Sequence, residues 1–136
     1  MKIFICCSKH TYQKIPPIKE ALERAGHQIT LPNSYDEPLQ EEKIKLTGKE
    51  AHANWKGEML RLQEAKIMKK DAILVLNFEK HGQPNYIGGA TFLEMFKCWE
   101  LGKKLYLYNP IPDNNLKDEI LGFAPIIIHG DLSKIK

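Results

Sequence analysis

The segment Asn85–Glu94 carries the residues best suited to chemistry in this chain. It contains the pair Gly88-Gly89, and glycines permit backbone conformations closed to other residues and let a ligand approach the main chain closely. The free amides at the start of a following helix can hold an anion or a sugar hydroxyl. Glu94 falls about one turn into that helix, where the positive end of the helix dipole favours the ionised carboxylate. Such a carboxylate in a cleft can attack an anomeric carbon or stabilise an oxocarbenium ion.

The same spacing also has a purely structural interpretation. Thr91-x-x-Glu94 is the pattern of a capping box, in which the threonine accepts a hydrogen bond from the backbone amide of the glutamate and the glutamate reaches back. Spacing alone therefore leaves both interpretations of Glu94 open.

Signatures of several common enzyme classes are absent. The sequence contains no Gly-x-Gly-x-x-Gly after a strand, no Gly-Lys-Ser/Thr phosphate loop, no Gly-x-Ser-x-Gly elbow and no His-Glu-x-x-His. The five histidines have no spacing typical of a metal site, and Cys6, Cys7 and Cys98 form no Cys-x-x-Cys pair. We therefore expect no metal, no cofactor and no disulfide, and a reducing, cytoplasmic environment.

Length and charge restrict the classes of partner. The chain has 136 residues, a net charge of +3 and 43% hydrophobic residues, which predicts one domain spanning residues 1–136. The lysines are scattered among carboxylates, which argues against a nucleic acid polymer as partner. The longest apolar runs, Ile3–Cys7 and Ala72–Leu76, are too short to span a membrane, and the N-terminal run is too brief for a signal peptide.

Short apolar runs alternate with amphipathic segments along the chain. We predict helices between Ile15 and Ala25, from about Glu50 to Lys70, over Ala90–Leu101 and over Leu116–Leu121. We predict strands at Lys2–Cys7, His27–Leu31, Asp71–Asn77, Lys104–Tyr108 and Pro125–Ile128. This alternation predicts an α/β fold, a flavodoxin-like (Rossmann-like) three-layer sandwich with a five-stranded parallel sheet in the order 2-1-3-4-5.

Ligands of such folds bind beyond the carboxyl ends of the strands. The fold therefore nominates the loops Cys7–Tyr12, Asn77–Glu94 and Asn109–Asp113. The second of these contains the segment that carries Glu94.

A family resemblance supports the catalytic interpretation of Glu94. The run Gly89-Ala90-Thr91-x-x-Glu94, followed by Leu101-Gly102-Lys103, resembles the Gly-Thr-x-x-Glu…Leu-Gly-Lys signature of the nucleoside 2-deoxyribosyltransferase superfamily. That superfamily includes the 2′-deoxynucleoside 5′-monophosphate N-hydrolases. The resemblance extends to the strand end Phe4–Ser8, to the strand opened by Asp71 and to the loop Asn109-Pro-Ile-Pro112.

The resemblance implies cleavage of the N-glycosidic bond of a (deoxy)nucleoside or nucleoside 5′-monophosphate. Glu94 would form a glycosyl-enzyme intermediate, which water or a second base resolves. Gly88 stands where the transferases carry an acid, as in the hydrolase branch, and Gln63 replaces an aspartate. Hydrolysis and transfer both stay open. The general acid is not identified; the nearest candidates are Glu64, Glu58 and Asp36.

The expected ligand is a small-molecule nucleoside or nucleotide. Ser8 and Lys9 lie where the hydrolases bind the 5′-phosphate, although an ordinary polar turn explains them equally. The predicted substrate-binding residues are Cys7, Ser8, Lys9, Tyr12, Gln63, Asn77, Tyr86, Gly88, Gly89, Thr91 and Asn109.

Two further expectations concern assembly and an alternative function. The amphipathic segment Glu50–Lys70, with Trp55 and Met59, predicts a homo-oligomer, a dimer or larger. The alternative to an enzyme is a non-catalytic nucleotide- or nucleotide-sugar-binding module that keeps the cleft but lacks the general acid.

Overall fold

Five short apolar segments form one parallel sheet in the computed structural model, which describes residues 1–136. The strands are β1 (Lys2–Cys6), β2 (Gln28–Thr30), β3 (Ala72–Val75), β4 (Lys104–Leu107) and β5 (Ile126–Ile127). Their order is β2-β1-β3-β4-β5, which confirms the prediction. All of β3 is buried, because helices cover both faces of the sheet, and this explains its continuous apolar run.

Six α-helices and two 3₁₀ helices flank the sheet. The α-helices are α1 (Ile15–Arg24), α2 (Gln40–Lys45), α3 (Lys49–Arg61), α4 (Gln63–Met68), α5 (Gly89–Glu100) and α6 (Lys117–Phe123). The 3₁₀ helices are Lys9–Lys14 and Leu132–Lys134. No helix is both long enough and apolar enough to cross a membrane.

The core lies in two layers on opposite faces of the sheet. On one face, Ile15, Ile18 and Leu22 of α1 pack with residues of β1 and β3. On the other face, α4, α5 and α6 contribute Ile67, Met95 and Ile120 respectively. The predicted three-layer sandwich is thus confirmed.

The segment between β2 and β3 differs from the prediction. The single helix expected from about Glu50 to Lys70 is two helices, α3 and α4, which meet at Leu62. The division lets α4 bury Ile67 in the core while α3 buries none of its residues. Helix α2 was not predicted at all, because it too buries no residue and so has no apolar stripe.

Candidate functional site

A cleft of about 490 Å³ opens at the carboxyl ends of β1, β2 and β3. Its inner wall is formed by the loop after β1 and by the start of α5, and its outer wall by α2 and α3. All but two of the predicted site residues line it: Cys7, Ser8, Lys9, Tyr12, Gln63, Tyr86, Gly88, Gly89, Thr91 and Glu94. The sheet therefore brings residues from distant parts of the sequence to one place.

Helix α5 presents Glu94 to this cleft. The helix begins at Gly89, and its N-cap residue Gly88 makes no side-chain capping hydrogen bond. Thr91 therefore lies inside the first turn, where its side chain is buried, and not at the cap position. The capping-box interpretation of Thr91 and Glu94 is wrong, and the helix end leaves Glu94 free for another role.

Burial controls the protonation of Glu94. Loss of hydration raises the pKa of this carboxyl group to about 7, although the charge of Lys66 and a hydrogen bond from the Cys6 thiol both act to lower it. The expectation that the helix dipole would favour the ionised form is therefore wrong, because burial outweighs it. Near neutral pH, Glu94 exists in both its protonated and its ionised form.

Lys66 on α4 does not line the cleft but acts on Glu94 through its charge, and the sequence reasoning missed it. Its ammonium group donates to the carbonyl oxygen of Leu31 at 3.3 Å and lies 4.1 Å from the ring centroid of Phe4. Burial lowers the pKa of Lys66, whereas the charge of Glu94 acts to raise it. A signal was present: Lys66 follows Gln63 by three residues, a spacing that places both on one side of a helix.

Two neutral donors belong to the inner wall. Burial raises the pKa of Cys7 to about 12, and the charge of Glu94 adds to this effect. Burial also raises the pKa of Tyr12 above its ordinary value, and the charge of Glu94 acts in the same direction. Both groups therefore keep their protons at neutral pH. They can donate hydrogen bonds and do not add negative charge beside Glu94.

The glycine pair opens the cleft by lacking side chains. Gly88 has a φ of −79°, and neither Gly88 nor Gly89 adopts a left-handed backbone conformation. The expectation that these glycines provide unusual backbone conformations is therefore wrong. A Cβ atom at Gly88 would lie 3.5 Å from the Tyr86 hydroxyl oxygen, while one at Gly89 would meet no atom within 4 Å. The open space therefore lies beside Gly89, while the Tyr86 ring packs against Gly88.

Charged side chains of α2 and α3 form the outer wall. Glu41 accepts hydrogen bonds from Nε2 of His52 at 2.8 Å and from Nζ of Lys56 at 2.9 Å. Burial acts to raise the pKa of Glu41, but these two hydrogen bonds outweigh it, so the pKa lies below its usual value. Trp55 and Met59, which we expected at a subunit interface, also line the cleft.

An ion pair joins the two walls. Lys9, the first residue of the 3₁₀ helix that follows β1, pairs with Glu42 of α2. Beside Lys9, the Ser8 hydroxyl oxygen accepts a weak hydrogen bond of 3.4 Å from the amide of His10. Lys80 also lines the cleft and gives this part a cationic side together with Lys9. His10 lines it too, but burial and the charge of Lys80 lower the pKa of its imidazole, which is therefore mostly neutral at neutral pH.

Asn77 and Asn109 do not line the cleft, contrary to expectation. The buried side chain of Asn77 donates to the carbonyl oxygens of Asn109 and Pro110, each at 3.0 Å, and accepts from the amide of Asn109 at 2.8 Å. The side chain of Asn109 donates in return to the carbonyl oxygen of Asn77 at 3.1 Å. These hydrogen bonds use the groups that a substrate would need, and they join the loops that follow β3 and β4.

The candidate general acids also lie outside the cleft lining. Glu64, Glu58 and Asp36 are exposed to solvent, and Glu64 lies 3.7 Å from the ammonium group of Lys97. The carboxylates that do line the cleft are Glu41, Glu42 and Glu94. Reasoning from the sequence did not find Glu41 or Glu42, because it did not predict the helix that carries them.

Comparison with known proteins places the fold beside that of an N-glycosidase. No model of a protein family matches the chain, and no curated protein with a matching sequence was found. Among solved structures, the chain is similar to the CMP N-glycosidase BcmB of Clostridium botulinum, with a TM-score of 0.53 and 17% sequence identity. The similarity covers 93% of this chain and 84% of that protein. At this level of identity, the two proteins share a fold.

Proposed function

We propose that this chain cleaves the N-glycosidic bond of a nucleoside or nucleoside 5′-monophosphate, with Glu94 as the nucleophile. The observation that carries the proposal is a buried carboxyl group with a pKa of about 7, which lines a cleft at the carboxyl ends of the strands. The fold shared with a CMP N-glycosidase supports the same class of reaction.

The chemistry requires the ionised form of Glu94. A carboxylate oxygen attacks the anomeric carbon, the bond from that carbon to the base nitrogen breaks, and its electron pair leaves with the base. The departing base takes a proton from solvent or from a neighbouring donor. Water in hydrolysis, or a ring nitrogen of a second base in transfer, then attacks the anomeric carbon and loses its proton to solvent. The bond from that carbon to the oxygen of Glu94 breaks in either case, and its electron pair returns to the carboxylate. The proposal includes both outcomes.

Neighbouring groups suit this chemistry. Burial strips water from the carboxylate, while the positive charge of Lys66 keeps part of the population ionised. Cys7 and Tyr12 keep their protons, so they can donate hydrogen bonds to sugar oxygens beside Glu94. The side-chain nitrogen of Gln63 donates only a weak hydrogen bond of 3.5 Å to the carbonyl oxygen of Ala90. The side-chain amide can therefore exchange this hydrogen bond for one to a ligand with little loss of free energy.

The cationic side of the cleft suits a 5′-phosphate. Lys9, His10 and Lys80 line it together with the hydroxyl of Ser8. Ammonium and hydroxyl donors form strong hydrogen bonds with phosphate oxygens. We therefore include a nucleoside 5′-monophosphate in the substrate class, with Ser8 and Lys9 as its phosphate ligands.

A non-catalytic nucleotide-binding module is the second candidate. The observation that favours it is the lack of a free acid in the cleft: Glu41 is bound by His52 and Lys56, and Glu42 is bound by Lys9. Without an acid, the departing base must take its proton from water or from a weak donor. A protein of this kind would bind the nucleotide and leave it intact.

Release of free base distinguishes the two candidates. The wild type and Glu94→Gln are incubated with cytidine, deoxycytidine, CMP, dCMP and the corresponding purine compounds, and free base is followed by chromatography. We expect release by the wild type and none above background by Glu94→Gln. Binding without release by the wild type would favour the non-catalytic module. Undiminished release by Glu94→Gln would remove Glu94 as the nucleophile.

A homo-oligomer stays a prediction. Besides the segment with Trp55 and Met59, α5 offers apolar surface, since its aromatic side chains Phe96 and Trp99 are 39% and 49% exposed. Light scattering of the purified protein would measure the oligomeric state.

A further inference from the structure

The ion pair between Lys9 and Glu42 occupies a place where a substrate anion would be expected. Lys9 begins the 3₁₀ helix that follows β1, and Glu42 belongs to the short helix α2 on the opposite wall. Both residues line the cleft that contains Glu94. A carboxylate of the protein thus neutralises a lysine that we assign to phosphate binding.

Glu42 is incompletely satisfied in this position. One of its carboxylate oxygens pairs with Lys9, but the other, Oε2, is buried and has no hydrogen-bond partner. A buried polar atom without a partner is unfavourable, and more so when it carries charge. The side chain as a whole is 39% exposed, so a rotation could bring it to water without unfolding the helix. Displacement of Glu42 by a ligand would therefore let Oε2 form hydrogen bonds with water and remove the unfavourable free energy of a buried, unpaired oxygen.

The rest of α2 can stay in place when Glu42 leaves. The preceding residue, Glu41, is held by His52 and Lys56 of α3 at 2.8 and 2.9 Å. Neighbouring carboxylates on one helix are thus bound to different parts of the molecule. Glu41 attaches α2 to α3, whereas Glu42 reaches across the cleft to Lys9.

A phosphate group is the stronger partner for Lys9. At neutral pH it carries more negative charge than a carboxylate and offers more acceptor oxygens. The Ser8 hydroxyl and the side chains of His10 and Lys80, which line the same cleft, offer further donors. A phosphate beside Glu42 would repel that carboxylate, so the two anions cannot both form a favourable ion pair with Lys9.

We propose that Glu42 competes with the phosphate of the substrate for Lys9, and that this competition sets the preference between nucleoside 5′-monophosphates and nucleosides. The proposal rests on the proposed function in taking a nucleotide as the substrate. Removal of the charge of Glu42 should strengthen the binding of any ligand that carries the phosphate. The binding of the corresponding nucleoside should not change, because its ligand contacts do not include Lys9.

Titration calorimetry on a chain that cannot turn over tests the competition. In a Glu94→Gln background, inorganic phosphate, CMP and cytidine are titrated into proteins with and without Glu42→Gln. We expect Glu42→Gln to lower the Kd of phosphate and of CMP about two- to fivefold. This is the size expected when one partly exposed ion pair no longer competes with the ligand. Cytidine affinity should stay the same.

Two further variants provide the controls. Glu41→Gln changes the adjacent carboxylate, which contacts His52 and Lys56 but not Lys9, so it should leave the ratio of CMP to cytidine affinity unchanged. Lys9→Met should weaken the binding of CMP and phosphate, and in that background Glu42→Gln should have a much smaller effect, because only the direct repulsion between Glu42 and the phosphate remains.

The other possible results distinguish failure of the competition from failure of the proposed function. Weaker CMP binding in Glu42→Gln, or an equal change for CMP and cytidine, would overturn the competition. Unchanged phosphate affinity in Glu42→Gln, with a wild type that releases base from CMP, would overturn the competition and leave the proposed function standing. Tighter phosphate binding with no base release by the wild type would support the competition and remove the proposed function.

Discussion

Lys66 on α4 and Glu94 on α5 stabilise each other's charged forms, and Glu94 lines the cleft. Lys66 is the strongest influence that lowers the pKa of Glu94, and Glu94 is the strongest that raises the pKa of Lys66. Burial outweighs this mutual effect for both groups, so the carboxyl group titrates at about 7 and the pKa of Lys66 lies below its ordinary value. Protonation of Glu94 therefore responds to pH changes near neutrality.

The first prediction is that base release rises with pH through the pKa of Glu94. The nucleophile must be ionised, and the pKa of Glu94 is about 7, so the rate should increase from about pH 5.5 to about pH 8. The measurement is kcat/KM for base release across this range. A rate that falls throughout the range would mean that the protonated form of Glu94 is the active one.

The second prediction concerns Lys66→Met, which removes the positive charge that lowers the pKa of Glu94. The rising limb of the pH profile should move to higher pH by about one unit. Lys97→Met is the matched control, because Lys97 also lies beside α4 but pairs with Glu100 and Glu64. The prediction fails when both lysine variants keep the profile of the wild type.

The third prediction is that Glu94 costs stability at neutral and alkaline pH. The pKa of its carboxyl group is about 7 in the folded protein against an ordinary value of 4.5, so the folded state binds more protons between these values. The free energy of unfolding must then fall as pH rises through this window. Glu94→Gln removes the ionisable group, so it should be more stable than the wild type by about 1–3 kcal/mol at about pH 8.

Urea unfolding of both proteins at acid and alkaline pH checks this linkage. The advantage of Glu94→Gln should shrink towards about pH 4.5, where the carboxyl group is mostly protonated in the folded protein and the linkage penalty is small. Equal stability of the two proteins at alkaline pH would show that Glu94 is not held in a desolvated site.

The fourth prediction separates a structural role from a role in substrate binding. Asn77 is fully buried and makes three side-chain hydrogen bonds to the loop after β4. Asn77→Ala should lower the free energy of unfolding by about 2–4 kcal/mol, because it leaves buried backbone groups without partners. Asn115→Ala, at an exposed position, is the control. Unchanged stability with a raised KM would instead make Asn77 a substrate ligand.

The sequence predicted the sheet and most of the cleft because both depend on local patterns. Continuous apolar runs such as Ala72–Leu76 predict buried strands, and the strand order then brings the loop after β1 close to the start of α5. Residues such as Ser8 and Glu94, which are far apart in the sequence, could therefore be assigned to one site. The general position of the site follows from the fold.

Contacts between distant segments could not be predicted in this way. Helix α2 has no buried residue, so its pattern carries no helical signal, and Glu41 and Glu42 were missed with it. The raised pKa of Glu94 depends on burial together with Lys66 and Cys6, which come from two other elements. The helix position of Glu94 alone favoured the opposite shift, because it contains no information on burial.

Covalent trapping tests the nucleophilic role of Glu94 most directly. The protein is incubated with a 2′-fluoro-arabinosyl nucleoside 5′-monophosphate, whose fluorine slows breakdown of the glycosyl-enzyme, and the intact mass is measured before peptide mapping. We expect a mass increase equal to one fluorinated sugar phosphate, located on Glu94 and absent from Glu94→Gln. An adduct on another residue, or base release by the wild type with no adduct on Glu94, would contradict the proposed mechanism.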